Sequence, residues 1–298
     1  MTERAYLTPA TIAKIGNLQL VARLVVEGAT AGQHKSPDFG FNVEFSEHRR
    51  YMPGDELRHI DWKLLAKSDK FYVKLYEENT SLRSYVLLDK SASMGFGEGP
   101  LTKLEYGKYL SASLLYMLLH QRDSVGLATF SDSLGEVIHP SNKASHLHRM
   151  LSHLNEVAPE GETSLPVVLK EMALSMKRRA LVIIVSDFLD DTEKVLEAVS
   201  HLKFLKHDVI LLRILTPEEI EFPYDEYSRF VDLEDGNELL VDARTLAKEY
   251  RQRMSEHLQS FQKKLHFSHI DTELFRTDKT MEDVLARFLQ RRAKRRTA

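Results

Sequence analysis

Hydrophobic positions along the chain follow two periods. Near the start, Ile12, Ile15, Leu18, Val21 and Val25 recur at close to helical spacing. Thr8 is placed to cap this helix and Pro9 suits its first position. Gly28 is read as its stop, and Gly16 weakens its middle. From about residue 83 onward, short apolar runs alternate with helical stretches. The runs at 85–88, 125–130, 180–185 and 209–215 have the unbroken apolar character of strands buried on both faces. Val137 and Ile138 predict a short edge strand, and 230–241 a hairpin turning at Asp235-Gly236. Helices are predicted over 102–120, 143–155, 165–178, 191–204, 243–264 and 280–292. Strands alternating with helices predict an α/β fold of Rossmann-like type, with a mostly parallel central sheet covered on both faces.

Residues 30–80 differ. The stretch 34–40 is polar, 41–45 alternates as a strand does, Pro53-Gly54-Asp55 signals a turn, and 71–76 is an aromatic-rich strand candidate. This predicts a small β-rich module. The expected organisation is a leading helix with that module over 1–80, the α/β domain over 81–292, and a basic tail over 293–298.

Composition narrows the classes of function. The 298 residues are 43% hydrophobic and 29% charged, enough apolar material for a core. Cysteine is absent, which removes disulfides, thiolate nucleophiles and cysteine-ligated metals together. The apolar stretch 109–121 is too short to cross a bilayer, and the first ten residues lack the apolar core of a secretory signal. A cytoplasmic protein without a membrane span is expected. The net charge of −3 hides an asymmetry: Arg287, Arg291, Arg292, Lys294, Arg295 and Arg296 leave −9 for the rest. A frayed, solvated terminus is the plainer reading of this cluster, and contact with nucleic acid or an anionic surface the rival one. Only Phe288 interleaves these charges, which disfavours a nucleic-acid stacking platform.

In an open α/β sheet, ligands bind outside the carboxyl ends of the strands. The first buried run ends in Asp89-Lys-Ser91-Ala-Ser93, the strongest run ends in Ser186-Asp187, and Gly161-Glu-Thr163 precedes a helix. Asp89, Ser91, Ser93, Thr163 and Asp187 are all hard oxygen donors, which suit Mg²⁺ or Mn²⁺ rather than zinc or copper. So few carboxylates would leave such an ion electrophilic, with a position open to an acidic side chain of another protein. The competing reading is that Asp89 and the serines only satisfy loop backbone.

Asp89-x-Ser91-x-Ser93, Thr163 and Asp187 resemble the metal-ion-dependent adhesion site of von Willebrand factor A domains. The stretch Glu47-x-Arg49-x-Tyr51-x-Pro53-Gly54-Asp55-x-x-Arg58-x-Ile60-Asp61-Trp62-Lys63, with Tyr72-Val-Lys74, is similar to the signature of the bacterial family called domain of unknown function 58. The resemblance implies a von Willebrand factor A fold. It implies direct coordination by Ser91 and Ser93, orientation of ligands by Asp89, coordination by Thr163 in one state, and action of Asp187 through water. It also implies a MoxR-type AAA ATPase and a client protein as partners, in chaperone-like assembly or maturation. Many relatives carry N-terminal membrane helices and a Gly-Gly-Thr loop, where this chain has Gly161-Glu162-Thr163. The signature around Trp62 is read as a turn held by Arg–carboxylate pairs, or as a docking surface formed by Arg49, Tyr51, Asp55, Arg58, Asp61, Trp62 and Lys63.

Catalysis is the main rival. An acid after the first strand resembles haloacid-dehalogenase-like phosphatases, but their second aspartate would fall on Ser91. No G-x-S-x-G, H-E-x-x-H or P-loop motif occurs, and no small-molecule substrate is expected. His146 and His148 face apart on one helix, so with His153 they do not form a zinc site.

Overall fold

The computed structural model describes residues 7–31, 47–50, 71–75, 83–233 and 236–296. The chain divides into two compact units, 40–82 and the remainder. In the smaller unit, β1 (Glu47–Arg50) pairs antiparallel with β2 (Tyr72–Leu75), in the register Glu47↔Leu75 to Arg50↔Tyr72. Tyr51, Asp55, Arg58, Asp61, Trp62 and Lys63 lie outside the described residues, as does the 41–45 strand expected from the sequence. Of the docking candidates, Arg49 alone has a described backbone.

The larger unit is built on a six-stranded sheet in the order β10-β7-β6-β3-β4-β5. Its strands are β3 (Arg83–Asp89), β4 (Ser124–Phe130), β5 (Leu134–Ser141), β6 (Ala180–Ser186), β7 (Asp208–Leu215) and β10 (Asp271–Arg276). All neighbours are parallel except β4 and β5. Nearly every residue of β3, β4, β6 and β7 is buried, as their unbroken apolar runs require. Alternate residues point to opposite faces. Tyr85, Leu87, Val182, Ile184, Val209 and Leu211 join one core cluster with α5 (Leu165–Ser175), α6 (Thr192–Phe204) and α8 (Ala243–Phe267).

The other face carries α3 (Lys103–His120), which α2 (Leu18–Thr30) covers from outside and α4 (Ala144–Glu156) flanks. The C-terminal helix α9 (Met281–Arg296) packs on α2 and β10. This double layer explains why α3 is buried almost all round. It also places the leading helices with the α/β unit, whereas the sequence reading grouped them with the β-rich segment.

Three further expectations are corrected. The single leading helix is two, α1 (Pro9–Ile15) and α2. Gly16 is the break, in the left-handed conformation at φ 63°, and the Asn17 side chain restarts the chain as the cap of α2. Gly28 stays inside α2, where a β-carbon would stand 2.7 Å from a Glu282 carboxylate oxygen of α9. The basic terminus is helical through Arg296 rather than frayed. Arg292 is buried and bridges Asp208 and Asp271 at the starts of β7 and β10.

The edge strand β5 shows how one glycine sets a register. The β4–β5 ladder is shifted between Val125 and Leu127, and a β-carbon on the intervening Gly126 would lie 2.6 Å from the Ile138 carbonyl oxygen and 3.0 Å from the Pro140 nitrogen. Pro140 is tolerated because it sits on an edge at an irregular step. Gly126→Ala is therefore expected to lower stability by about 2–3 kcal/mol through backbone overlap, read as a shift of the urea midpoint. An unchanged midpoint would contradict the close approach.

Candidate functional site

The sheet order reverses at β3. Its successor β4 lies on one side and β6 on the other, so the carboxyl ends of β3 and β6 flank a crevice. Asp89 is the last residue of β3 and Asp187 directly follows β6. The loop after β3 turns through a short 3₁₀ segment, Ala92–Gly95. The Ala92 amide donates to the Gly161 carbonyl at 2.8 Å and the Glu160 amide to the Lys90 carbonyl at 2.7 Å. Gly161 takes φ 73°, a left-handed turn that brings the threonine loop beside the serine loop. Each loop is thus tied to its neighbours by main-chain bonds, which preset the side chains.

Asp89 is fully buried. Its Oδ1 accepts the Ser91 amide at 2.9 Å and its Oδ2 accepts the Ser186 hydroxyl at 2.6 Å. Burial pushes this carboxyl up to about 7, the nearby charge of Asp187 adds to that, and the Ser186 and Ser91 hydrogen bonds oppose it. The Ser91 and Ser93 hydroxyls lie 3.1 Å apart, and Ser93 Oγ donates to Asp187 Oδ2 at 3.0 Å. Thr163 Oγ1 is buried and has no hydrogen-bond partner among the described residues. Ser93, Thr163 and Asp187 line a common cavity of about 550 Å³. Four of the five residues singled out in the sequence are joined by hydrogen bonds, and the fifth borders the same space.

The donor set fits a hard cation. It offers carboxylate and hydroxyl oxygens, and the unpartnered Thr163 hydroxyl has the unmet need that a ligand would satisfy. Among the described residues, no group of three or more His, Asp or Glu side chains forms a metal cluster. The candidate centre rests on hydroxyls in place of a cage of acids and histidines.

Sequence reasoning missed three charged residues around this centre. Lys103 is fully buried, with Nζ 2.6 Å from Asp187 Oδ2 and 2.6 Å from Glu219 Oε1. Burial pulls this ammonium down, but the charges of Asp187 and Glu219 outweigh it and hold it above its ordinary value. Lys103 opens α3, where Gly107 allows close approach to the sheet: a β-carbon there would lie 3.0 Å from Leu88 and 3.3 Å from Ile214. Glu219 belongs to the short helix α7 (Pro217–Glu221), and its Oε2 also accepts the Thr216 amide in a capping box. Arg213 of β7 donates from Nε to the Asp187 carbonyl at 2.8 Å and from Nη2 to the Phe188 carbonyl at 3.3 Å. It thereby holds the turn that presents Asp187.

On the far wall of the cavity are Tyr250, Val231, Asp232 and Leu233. The last three belong to the end of β8 (Tyr227–Val231) and the turn toward β9 (Glu238–Asp242). This is the hairpin expected near 230–241, with Gly236 at φ 74° in its turn. A cluster of Phe222, Tyr224, Phe230 and Tyr250 with Ala243 and Ala247 anchors it.

A mostly parallel sheet with one antiparallel edge, helices on both faces, and an Asp-x-Ser-x-Ser loop beside a threonine and a second aspartate define an α/β protein of Rossmann-like type with an oxygen-rich centre at the strand-order reversal. The chain belongs to the family described as protein of unknown function DUF58, whose model matches residues 47–260. It is 24% identical over 220 residues to the uncharacterized protein Rv1480 of Mycobacterium tuberculosis, covering 72% of this chain and 68% of the relative. Among solved structures it is similar to the conserved hypothetical protein BatB of Bacteroides thetaiotaomicron, at 15% identity and TM-score 0.47, covering 72% of this chain and 99% of BatB. It is also similar to the SpRpn10 VWA domain, at 13% identity and TM-score 0.43, covering 71% and 95%. Among the described residues, no helix is long and apolar enough to cross a membrane.

Proposed function

We propose that this chain is a non-catalytic protein-binding module whose grip depends on a divalent cation. One observation carries the reading. Asp89, Ser91, Ser93 and Asp187 are hydrogen-bonded together at the strand-order reversal, and the unpartnered Thr163 hydroxyl borders the same cavity. Ser91 and Ser93 are the direct ligands, Asp89 and Asp187 orient them or act through water, and Thr163 joins in one state. A bound Mg²⁺ or Mn²⁺ supplies an electrophilic position open to a carboxylate of the partner. The family resemblance points to a MoxR-type AAA ATPase as partner and to a client that the two mature or assemble, and a cytoplasmic location of the chain is part of the proposal. The signature residues Arg49, Tyr51, Asp55, Arg58, Asp61, Trp62 and Lys63 are proposed as a second contact with the ATPase.

The test is capture of the purified MoxR-type ATPase of the same organism by the immobilised chain. Capture is expected in millimolar Mg²⁺, with loss in EDTA and recovery on restoring Mg²⁺. Capture that ignores the chelator overturns the cation-dependent reading.

A further inference from the structure

The five donors are not alone in their crevice. A lysine, fully buried, reaches the same aspartate oxygen that Ser93 bonds, and shares its ammonium with a glutamate from a separate helix. We propose that Lys103 is a resident counter-cation of the metal site, held by Glu219, and that this pair sets the affinity of the site for its divalent ion. The proposal rests on the reading of the site as a cation site.

Three observations support it. First, the contact is specific: Nζ stands 2.6 Å from each carboxylate, closer to Asp187 Oδ2 than the Ser93 hydroxyl at 3.0 Å. An oxygen already engaged by an ammonium is a weaker acceptor for a cation or its water shell. Second, the burial is complete, so water cannot take over the neutralising role of the ammonium. Third, both partners face the cavity that Ser93, Thr163 and Asp187 line.

Charge bookkeeping then gives a direction for each member of the pair. With Asp89, Asp187 and Glu219 ionised and Lys103 and Arg213 charged, the cluster is one charge negative when a divalent ion reaches it. Without Lys103 the same ion meets a more negative cluster and binds more tightly. Without the Glu219 charge it meets a less negative one and binds more weakly. Lys103 and Glu219 therefore act in opposite senses on one equilibrium, which a purely structural pair would not do. A structural pair would lower stability in both variants and leave the cation affinity of the folded fraction alone.

The experiment titrates Mn²⁺ into the full chain by calorimetry, for wild type, K103M, E219Q and D89N, with thermal midpoints recorded with and without Mn²⁺. Methionine keeps the length of the lysine stem. Glutamine keeps an oxygen for the Thr216 amide. K103M is expected to bind at least about tenfold more tightly, the size of one charge acting over a few ångströms through a water-like dielectric. It is also expected to gain far more in midpoint from Mn²⁺ than wild type does. E219Q is expected to bind more weakly. An affinity of K103M equal to or below that of wild type overturns the inference. Should K103M not fold without metal, E219Q decides: affinity unchanged or raised overturns it. Binding that D89N abolishes but neither K103M nor E219Q alters sinks this inference and leaves the cation site standing. No saturation in any variant overturns the cation site and the inference with it.

Discussion

Asp89→Asn is expected to cost the protein about 100-fold or more in Mg²⁺ and Mn²⁺ affinity while leaving its fold in place. The carboxylate lies at the carboxyl end of a central strand, with no exposed surface, and its two oxygens are committed to the Ser91 amide and the Ser186 hydroxyl. The first bond fixes the loop that carries Ser91 and Ser93. The second ties that loop to the end of β6, one residue before Asp187. Asparagine retains an oxygen for the Ser91 amide and adds donors that Ser186 Oγ can accept, so the loop keeps its path. Burial already pushes the native carboxyl up to about 7, so the metal-free fold gains little from its charge. What disappears is the negative charge that holds a cation, together with the orientation that an outer carboxylate gives to direct ligands, an effect that alone reaches 10–100-fold in metal sites. Calorimetric titration with Mn²⁺ measures the loss, and the urea midpoint checks the fold, with a change within about 1 kcal/mol expected. Wild-type affinity in this variant, or capture of the ATPase that survives it unchanged, would remove the cation from the mechanism.

The parts of the fold that were readable in the sequence are those where burial is uniform. The runs within β3, β4, β6 and β7 are apolar on both faces because helices cover both, and that leaves no polar alternation to misread. The edges were harder. The edge strand β10 has only Phe275 fully covered, and its Asp, Glu and Arg residues face partly to solvent or pair with α9, so its pattern looks like a loop. The two leading glycines were assigned the wrong way round for a tertiary reason. Gly28 lies where the Glu282 side chain of α9 approaches α2, and Gly16 supplies the left-handed break. Neither choice follows from helical periodicity.

The centre divides in the same way. Asp89, Ser91, Ser93 and Asp187 were legible because they follow strand ends, where α/β sheets put ligands, and Thr163 as a further hydroxyl on a loop before a helix. The surrounding charges were not read, although each left a trace. Lys103 lies on the same helical stripe as Tyr106, Leu110 and Leu114, and Arg213 interrupts the most apolar stretch of β7. A lone charge inside a pattern that demands burial implies a buried partner. Thr216-Pro217-x-Glu219 carried a capping-box signal for the helix that supplies that partner.

Arg213→Met is expected to destabilise the protein by about 3 kcal/mol and to weaken cation binding about tenfold, although the arginine bonds the main-chain carbonyls of Asp187 and Phe188 and none of the five donor side chains. Phe188, directly after Asp187, sits at φ 49°, a left-handed conformation that costs a bulky residue about 1–3 kcal/mol and persists only when its surroundings enforce it. Three contacts do so. The Phe188 amide donates to Ser186 Oγ at 3.0 Å, its ring lies 5.7 Å from that of Phe261, and its carbonyl accepts from Arg213 Nη2. The same guanidinium holds the Asp187 carbonyl and lies 4.9 Å from the centre of the Phe261 ring. Burial lowers its pKa to about 10, still far above neutral pH, so it donates as a cation throughout the physiological range. Each charge-assisted bond to a buried carbonyl contributes roughly 1.5–3 kcal/mol, and its removal leaves that carbonyl without a partner. Methionine fills the stem volume and keeps contact with Phe261, which confines the change to the lost donors. Relaxation of Phe188 then turns Asp187 away from Ser93 and Lys103, and the affinity falls with it. Arg213→Lys, with one compact ammonium in place of a planar fork, reaches one carbonyl at most and should fall between the two. Urea unfolding and Mn²⁺ titration on the three proteins order them in both quantities together. A Met variant that loses stability yet binds Mn²⁺ as wild type does would show that the turn presents Asp187 without help from β7.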